Sequence, residues 1–469
     1  MPAGDLDEAF TDVRLAHRFA AVFESECRPV VFCHGVGWLK WDGTRWRRTD
    51  SGELKGTILE SSTQWLERLA QHQAPRNLIE RVIRLLYENR ALRIVKAMEA
   101  LFRVEVGELD SHPDLLNCRN GVVDLRTGVL SPHDPALYMT KVTRVDYVPD
   151  ARSRDWEKAK QALPAEVGEY LLDRLGQAAT GHTPSDDRIP FNVGVGGNGK
   201  STMLDPVRLC LGDYAGVVTQ KLLLANPSEH PTEFMTLRGL RLVVLEELPE
   251  QGRLNTQRLK TITGTETIQA RGMRQDFVEF ATTHALVVNT NHAPIVNETD
   301  HGTWRRLMLI PFERKYRADD GTVDQTLRQR MKKRKVLEAV LAELVKHARH
   351  WYDNGQVMAS PPAVIEEATA AWRTESDDLV GFFQERLEAD PHAAVRLSDV
   401  MDAFNSYLEK KGHRIPWSEK TFSSRLASNE GLPVPFAKGQ RQRRYLNPLG
   451  GPVQGPHPVT VWKGVRFRN

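Results

Sequence analysis

Several things are scarce in this chain, and each scarcity removes a class of explanation. Only four cysteines, Cys27, Cys33, Cys118 and Cys210, occur in 469 residues, with no C-x-x-C pair. That argues against a disulfide framework and against a thiolate zinc site. No run approaches the roughly eighteen consecutive apolar residues of a membrane span. The start, Met1-Pro2-Ala3-Gly4-Asp5, has neither the basic end nor the apolar stretch of a secretion signal, so no membrane partner and a cytoplasmic setting are expected. There is no low-complexity tract and no repeat of solenoid period. The net charge is only +3, which by itself says little about nucleic acid.

What remains is globular material with its charge unevenly spread. Hydrophobic residues at 40% and charged residues at 27% fit a soluble chain of about two to four domains. From Lys410 to the end the basic residues, Arg441, Arg443, Arg444, Lys463, Arg466 and Arg468 among them, face only Glu419 and Glu430. The first part reads as short strands, with a hairpin turning at Asp42-Gly43 between Trp41 and Trp46. A helical layer from about Leu54 to Phe102 and a second hairpin at Asn120-Gly121 follow. From a helix over about Glu166 to Thr180, strand and helix alternate to about Phe312, the pattern of an α/β nucleotide-binding core. Lys332 to Tyr352 reads as an amphipathic helix, and the acidic stretch after Pro361-Pro362 as a linker or surface helix.

The densest motif is Gly194-Val195-Gly196-Gly197-Asn198-Gly199-Lys200-Ser201, a complete G-x-x-x-x-G-K-[ST] phosphate-binding loop placed after the apolar strand Ile189 to Val193. Glycines let backbone N–H groups approach phosphate oxygens, Lys200 adds a point charge, and Ser201 offers a hydroxyl to Mg²⁺. The loop with Thr202 is therefore expected to bind ATP. Arg241 to Glu247 reads as a buried strand ending in Glu246 and Glu247, where one carboxylate can hold Mg²⁺ and the other orient the attacking water. A further strand, Ala285 to Asn291, ends in amides, and Asn291, rather than Asn289, is the expected sensor of the terminal phosphate. Arg305-Arg306, just before another strand, suits a finger reaching a neighbouring subunit's nucleotide. Two strands around Gly272-Met273-Arg274 make a hairpin with Arg271 and Arg274 at its tip.

Taken in order, these motifs resemble the superfamily 3 helicase core of the phage, plasmid and poxvirus D5-like primase-helicase family. The matching segments are Arg241 to Glu247, Leu259 to Arg271, Thr290-Asn291-His292-Ala293-Pro294, and Asp300 through Trp304-Arg305-Arg306. Trp38 to Trp46 and Leu116 to Gly128 look like that family's module before the core. The resemblance implies an AAA+-like P-loop NTPase core, α/β in class, over residues 151–320, after an α+β module over 1–150. A helical connector over 321–375 would follow, and the helices and basic strands of 376–469 suggest a winged-helix-like DNA-binding module. The implied catalytic residues are Lys200, Glu246, Glu247, Asn291 and Arg306, with Ser201 and Glu246 at the metal and Glu247 as the stronger base. Lys260, Arg271 and Arg274 would contact DNA in a ring channel, with Arg441, Arg443 and Arg444 gripping it outside.

The function implied is an ATP- and Mg²⁺-dependent replicative DNA helicase, acting as a homo-oligomeric ring, a hexamer by resemblance, in a phage- or plasmid-carrying bacterial cell. Priming is not expected on this chain, because the N-terminal module begins within the first few dozen residues; a separate primase or polymerase would then be a partner. An ATP-dependent origin-binding initiator that does not unwind processively is the main rival, favoured by the basic C-terminal unit. A small-molecule kinase is disfavoured by the hairpin and the arginine pair.

Overall fold

The computed structural model describes residues 10–468 apart from 26–28, 225–230, 250–251, 272–276, 297–300, 318–322, 412–415 and 430. Cys27 and Arg274 therefore lie outside the described residues, while Cys33, Cys118 and Cys210 are buried free thiols.

The chain begins with α1 (Asp12–Ser25), β1 (Val30–Cys33), β2 (Gly37–Trp41) and β3 (Trp46–Arg48). The turn between β2 and β3 is set locally. Asp42 Oδ1 accepts the N–H groups of Thr44 and Arg45, both at 2.9 Å, and Gly43 takes a φ of 96° that a side chain would resist. Helices α2 (Ser51–Gln71), α3 (Arg76–Ile83) and α4 (Glu88–Met98) follow, and β4 (Arg103–Val104) completes a sheet of order β3-β2-β1-β4. Leu54, Ile58, Val82, Ile94 and Met98 from the helices share one core with Phe19 and Trp38.

A meander of β5 (Leu115–Cys118), β6 (Gly121–Asp124) and β7 (Val129–Ser131) comes next. Its apolar side, with Leu116, Cys118, Val123 and Leu125, packs into the core of the following unit. Arg241 ties the meander down: its buried guanidinium lies 4.6 Å over the Tyr214 ring and donates to the carbonyls of Ala179 (3.0 Å), His112 (3.1 Å) and Leu115 (2.8 Å). A buried charge costs little only when its donors are satisfied this fully.

Helices α5 (Arg154–Lys160) and α6 (Ala165–Ala178) lead into β8 (Ile189–Val193), α7 (Lys200–Leu211), β9 (Ala215–Val218) and β10 (Leu242–Glu246). Then come α8 (Thr256–Gly264), the antiparallel hairpin β11 (Thr267–Arg271) and β12 (Phe277–Ala281), β13 (Ala285–Thr290), the short α9 (His301–Trp304) and β14 (Leu307–Pro311). The five main strands form one parallel sheet of order β14-β8-β13-β10-β9. A parallel sheet is covered on both faces, so its strands read as apolar runs; Leu242 to Leu245 and Ala285 to Val288 are buried throughout.

The covers come partly from residues 321–375. After the short α10 (Leu327–Arg330), α11 (Arg334–Asp353) lays Leu337, Val340, Leu341 and Leu344 into the core shared with α6 and α7. Gly176 allows that crossing, since a Cβ there would stand 2.5 Å from His347 Cβ. Helix α12 (Ala363–Ser376) covers the opposite face: Trp372 packs on Phe191 and Trp304 and donates to the Pro294 carbonyl at 2.9 Å. The stretch after Pro361-Pro362, read from sequence as a linker or surface helix, is thus a packed layer, because one tryptophan at helical spacing outweighs its acidic outer face.

The remaining unit runs α13 (Asp378–Arg386), β15 (Leu387–Arg396), α14 (Leu397–Lys410), α15 (Glu419–Ser428), β16 (Arg441–Leu446) and β17 (Pro452–Phe467). It has its own core around Phe382, Phe404, Phe422 and Trp462. Strand β15 is absent from the sequence reading; it carries Asp390-Pro391, and its register shifts there, between Ala389 and Ala394. Strand β17 runs from Pro452, where Val453 and Gln454 pair with Tyr445 and Arg444.

Candidate active site

All five strands of the sheet run the same way, so the loops after β8, β13 and β10 emerge side by side at one edge, where open α/β sheets bind ligands. The phosphate loop, the amide-tipped strand and the acidic pair occupy three adjacent positions.

The loop is built around close approaches. A Cβ at Gly194 would lie 2.3 Å from Asn198 Nδ2 and 2.4 Å from the Phe312 carbonyl. Gly199, with φ of 87°, passes Ala162 and Tyr316 at distances that leave no room for a side chain. Asn198 is buried and braces the turn: its Nδ2 donates to the Phe312 carbonyl at 3.2 Å and its Oδ1 accepts the Lys200 N–H at 3.3 Å. The Gly197 carbonyl accepts from the Tyr316 N–H at 2.9 Å. Val195 and Gly196 stand at the open tip, where nothing lies within 4 Å of a Cβ at Gly196. Gly199 caps α7 without a side-chain hydrogen bond, leaving the first-turn N–H groups of Ser201 and Thr202 for an anion.

Lys200 is buried to 7% exposure, and burial lowers its ammonium pKa below the ordinary lysine range. Its Nζ donates to the Gly194 carbonyl and, at 3.3 Å, to Asn291 Oδ1. The amine thus rests in the cradle that phosphate oxygens would fill. Asn289 is committed elsewhere: its Oδ1 accepts from Asn192 Nδ2 at 2.9 Å within the sheet. Glu246 and Glu247 are exposed at the end of β10. Glu247 adopts φ of 61°, a left-handed conformation costly for a carboxylate residue, held by its N–H donating to the Asn289 carbonyl at 2.8 Å. These residues fit a nucleoside triphosphate and Mg²⁺: a glycine-lined cradle, a desolvated ammonium, the exposed Ser201 hydroxyl and two exposed carboxylates.

Arg306 departs from the sequence reading. Its guanidinium, 11% exposed, donates to Asp187 (3.0 Å), Thr263 Oγ1 (3.1 Å) and the Gly302 carbonyl (2.6 Å). It points into its own chain, because Asp187 and α8 satisfy its donors there. Arg305, 48% exposed with a single contact to Asp187 at 3.2 Å, is the arginine presented outward.

The hairpin forms as expected, with Arg271 opposite Phe277 at the last described pair. Arg271 is exposed, its guanidinium 5.1 Å over the Phe277 ring, and Phe277 is itself 61% exposed. Sequence reasoning passed over Phe277, although strand alternation puts it on the outward side with Glu279. Lys260 sits half-buried on α8. Arg441, Arg443 and Arg444 are all exposed on β16, Arg441 donating to the Pro458 carbonyl at 2.7 Å. They belong to the C-terminal unit, on a strand outside the parallel sheet.

The fold and this edge define an α/β protein with a parallel sheet and a complete phosphate loop at its carboxyl ends. Comparison with known proteins adds the lineage. Residues 14–163 match the family described as "D5 N terminal like", and residues 192–306 match a family described as of unknown function. An African swine fever virus (Warthog isolate) protein named "Putative primase" is 27% identical over 350 residues, covering 68% of this chain and 36% of its own length. An Acanthamoeba polyphaga mimivirus protein named, with the same qualifier, a helicase is 25% identical, covering 64% of this chain and 33% of its own. The C-terminal region of NrS-1 is similar in structure at 13% identity and a TM-score of 0.48, over 94% of this chain and 98% of that one. The chain is a relative of the viral D5-like primase-helicases.

The chain spans about a third of the length of these viral relatives. Their names include both primase and helicase, so the expectation that priming belongs to another chain gains no support from them. Their hosts are eukaryotic, so the bacterial host inferred from sequence gains none either. No helix among the described residues is long and apolar enough to cross a membrane.

Proposed function

We propose that this chain is an ATP- and Mg²⁺-dependent DNA helicase motor of superfamily 3 type, with an AAA+-like core, working as a homo-oligomeric ring, a hexamer by family resemblance. The observation that carries the reading is the convergence at one sheet edge of Lys200, Asn291, Glu246 and Glu247 from three adjacent parallel strands. ATP supplies the phosphoryl group whose transfer to water releases the driving energy. Backbone N–H groups of Gly196 to Ser201 and Lys200 hold the phosphates, and Ser201 with Glu246 would hold Mg²⁺. Glu247 takes the proton of the attacking water, and Asn291 donates to the terminal phosphate after releasing Lys200. Arg305 reaches the neighbouring subunit's site, since Arg306 is tied to Asp187. The hairpin presents Arg271 and Phe277 to the DNA strand, a charge and an aromatic face suited to backbone and base.

The initiator reading keeps one specific support. The order helix, strand, two helices and a β-ribbon over α13 to β17 resembles that of a winged helix, with Arg441, Arg443 and Arg444 on the ribbon. In the motor reading that unit loads the ring; in the initiator reading it is the main DNA contact. ATP hydrolysis with and without single-stranded DNA tests the two. A motor hydrolyses ATP faster on DNA and loses turnover in Glu247→Gln; hydrolysis indifferent to DNA contradicts it.

A further inference from the structure

The sheet has a second charged end. Opposite the nucleotide edge, where α7 finishes and β9 begins, a cavity of about 610 Å³ opens at the seam with the N-terminal module. Four arginines line it: Arg45 from the β2–β3 turn, Arg119 from the β5–β6 turn, Arg144, and Arg208 from the last turn of α7. The two carboxylates in the lining are engaged. Asp213 pairs with Arg45 and accepts the Val142 N–H at 3.2 Å, and Asp42 accepts from Thr44 and Arg45.

Among the described residues, the guanidinium groups of Arg119, Arg144 and Arg208 have no carboxylate partner. Arg208 Nε is buried without any hydrogen-bond partner. Position near a helix C-terminus explains a cation there, but it does not satisfy a buried donor. Backbone hydrogen bonds cross the seam: the Arg144 N–H donates to the Cys210 carbonyl at 3.0 Å and the Asp213 N–H to the Val142 carbonyl at 3.2 Å.

The charge does not stop at this cavity. Arg45 also lines a cleft of about 810 Å³ on its other side, shared with Arg47, Arg48, Lys141 and Arg238 and reaching Glu279 to Thr283 at the base of the hairpin. Two adjoining basic concavities, together longer than one phosphate group and leading to the hairpin, call for an extended polyanion.

We infer that this seam binds the phosphate backbone of a nucleic-acid strand, with Arg119, Arg144 and Arg208 as its charged seat. The site is separate from the phosphate loop, so the inference does not depend on ATP hydrolysis and is tested without nucleotide. Binding of a fluorescent single-stranded oligonucleotide to the full chain is titrated across salt for wild type and for R119A/R144A/R208A. Each lost phosphate contact should flatten the log–log salt slope by about 0.7 for a single strand, about 2 in all, with affinity falling about tenfold or more at low salt. The slope with duplex shows which form is preferred, and pyrophosphate competition separates a strand from a free polyphosphate.

A second measurement on wild type removes any ambiguity of folding: bound oligonucleotide should protect these three arginines from phenylglyoxal modification. Unchanged slope and affinity in a variant that melts like wild type, absence of protection, or displacement by pyrophosphate as effective as by oligonucleotide would each overturn the assignment.

Discussion

The two ends of the chain's polar equipment are organised in opposite ways. At the nucleotide edge the groups hold one another: Lys200 on Asn291 and Gly194, Asn198 on Phe312, Glu247 on Asn289. On the ribbon of the C-terminal unit, Arg441, Arg443 and Arg444 are exposed, and only Arg441 is held among the described residues, by the Pro458 carbonyl. Groups that must act within a fraction of an ångström are fixed before the ligand arrives, which is what transition-state stabilisation requires. Groups that only supply attraction to a polyanion need no fixed geometry. The contrast separates chemistry from grip, and each change below is aimed at one side of it.

The largest effect is expected at the edge. Lys200→Ala and Glu247→Gln should each reduce ATP hydrolysis by about a hundredfold or more, Glu247→Gln while still binding ATP, read by steady-state turnover and nucleotide titration. If Glu246→Gln is the slower variant, the roles of the two carboxylates are reversed.

Next is the arginine pair. Arg306→Ala removes a buried guanidinium from Asp187 and should destabilise the core by about 3 kcal/mol, visible as a lowered Tm. Arg305→Ala should leave Tm within about a degree, because exposed pairs contribute little, yet lose hydrolysis that returns in part when mixed with Lys200→Ala subunits. Recovery with Arg306→Ala instead would put the inward arginine back as the finger.

A stability effect of similar kind is expected away from the site, with a definite sign in pH. Burial raises the pKa of Glu343, but His347, with Nε2 3.8 Å away, then Lys160 Nζ at 2.9 Å and Trp156 Nε1 at 2.8 Å pull it down to about 2. Depressed in the folded state, it contributes stability above the ordinary carboxylate pKa, lost as pH falls through about 4.5 toward 2. Glu343→Gln should therefore lower Tm at pH 7 by several degrees and flatten the acid limb of the stability curve between those values. Buried His347, on Asp173 Oδ1 at 2.7 Å, is shifted upward, so its contribution is present below the ordinary histidine pKa and lost as pH rises past it.

The smallest effect belongs to grip. Neutralising Arg441, Arg443 and Arg444 should weaken DNA binding several-fold at physiological salt and flatten its salt slope, leaving basal hydrolysis unchanged.

How much of this was legible beforehand depended on whether the signal was local. The phosphate loop, the Asp42-Gly43 turn and the apolar strands β10 and β13 are fixed by residues adjacent in sequence, and they could be read directly. The inward turn of Arg306 depends on Asp187 and Thr263, far from it in sequence, so the family resemblance pointed to Arg306 with nothing local to redirect it to Arg305. The seam arginines come from four separate segments, none of them a motif. Phe277 was readable from strand alternation but was hidden by attention to the charged tip. Strand β15 went unread because its pairing with β17 is a tertiary decision.

In the proposed motor, the ordered edge drives movement on DNA. The most direct measurement is strand displacement on a forked duplex with ATP and Mg²⁺, comparing wild type with Lys200→Ala and with an Arg271→Ala/Phe277→Ala pair. Wild type should displace the strand, Lys200→Ala should not, and the hairpin pair should fail to unwind while still hydrolysing ATP. A wild-type chain that hydrolyses ATP on DNA but displaces nothing would contradict the motor account.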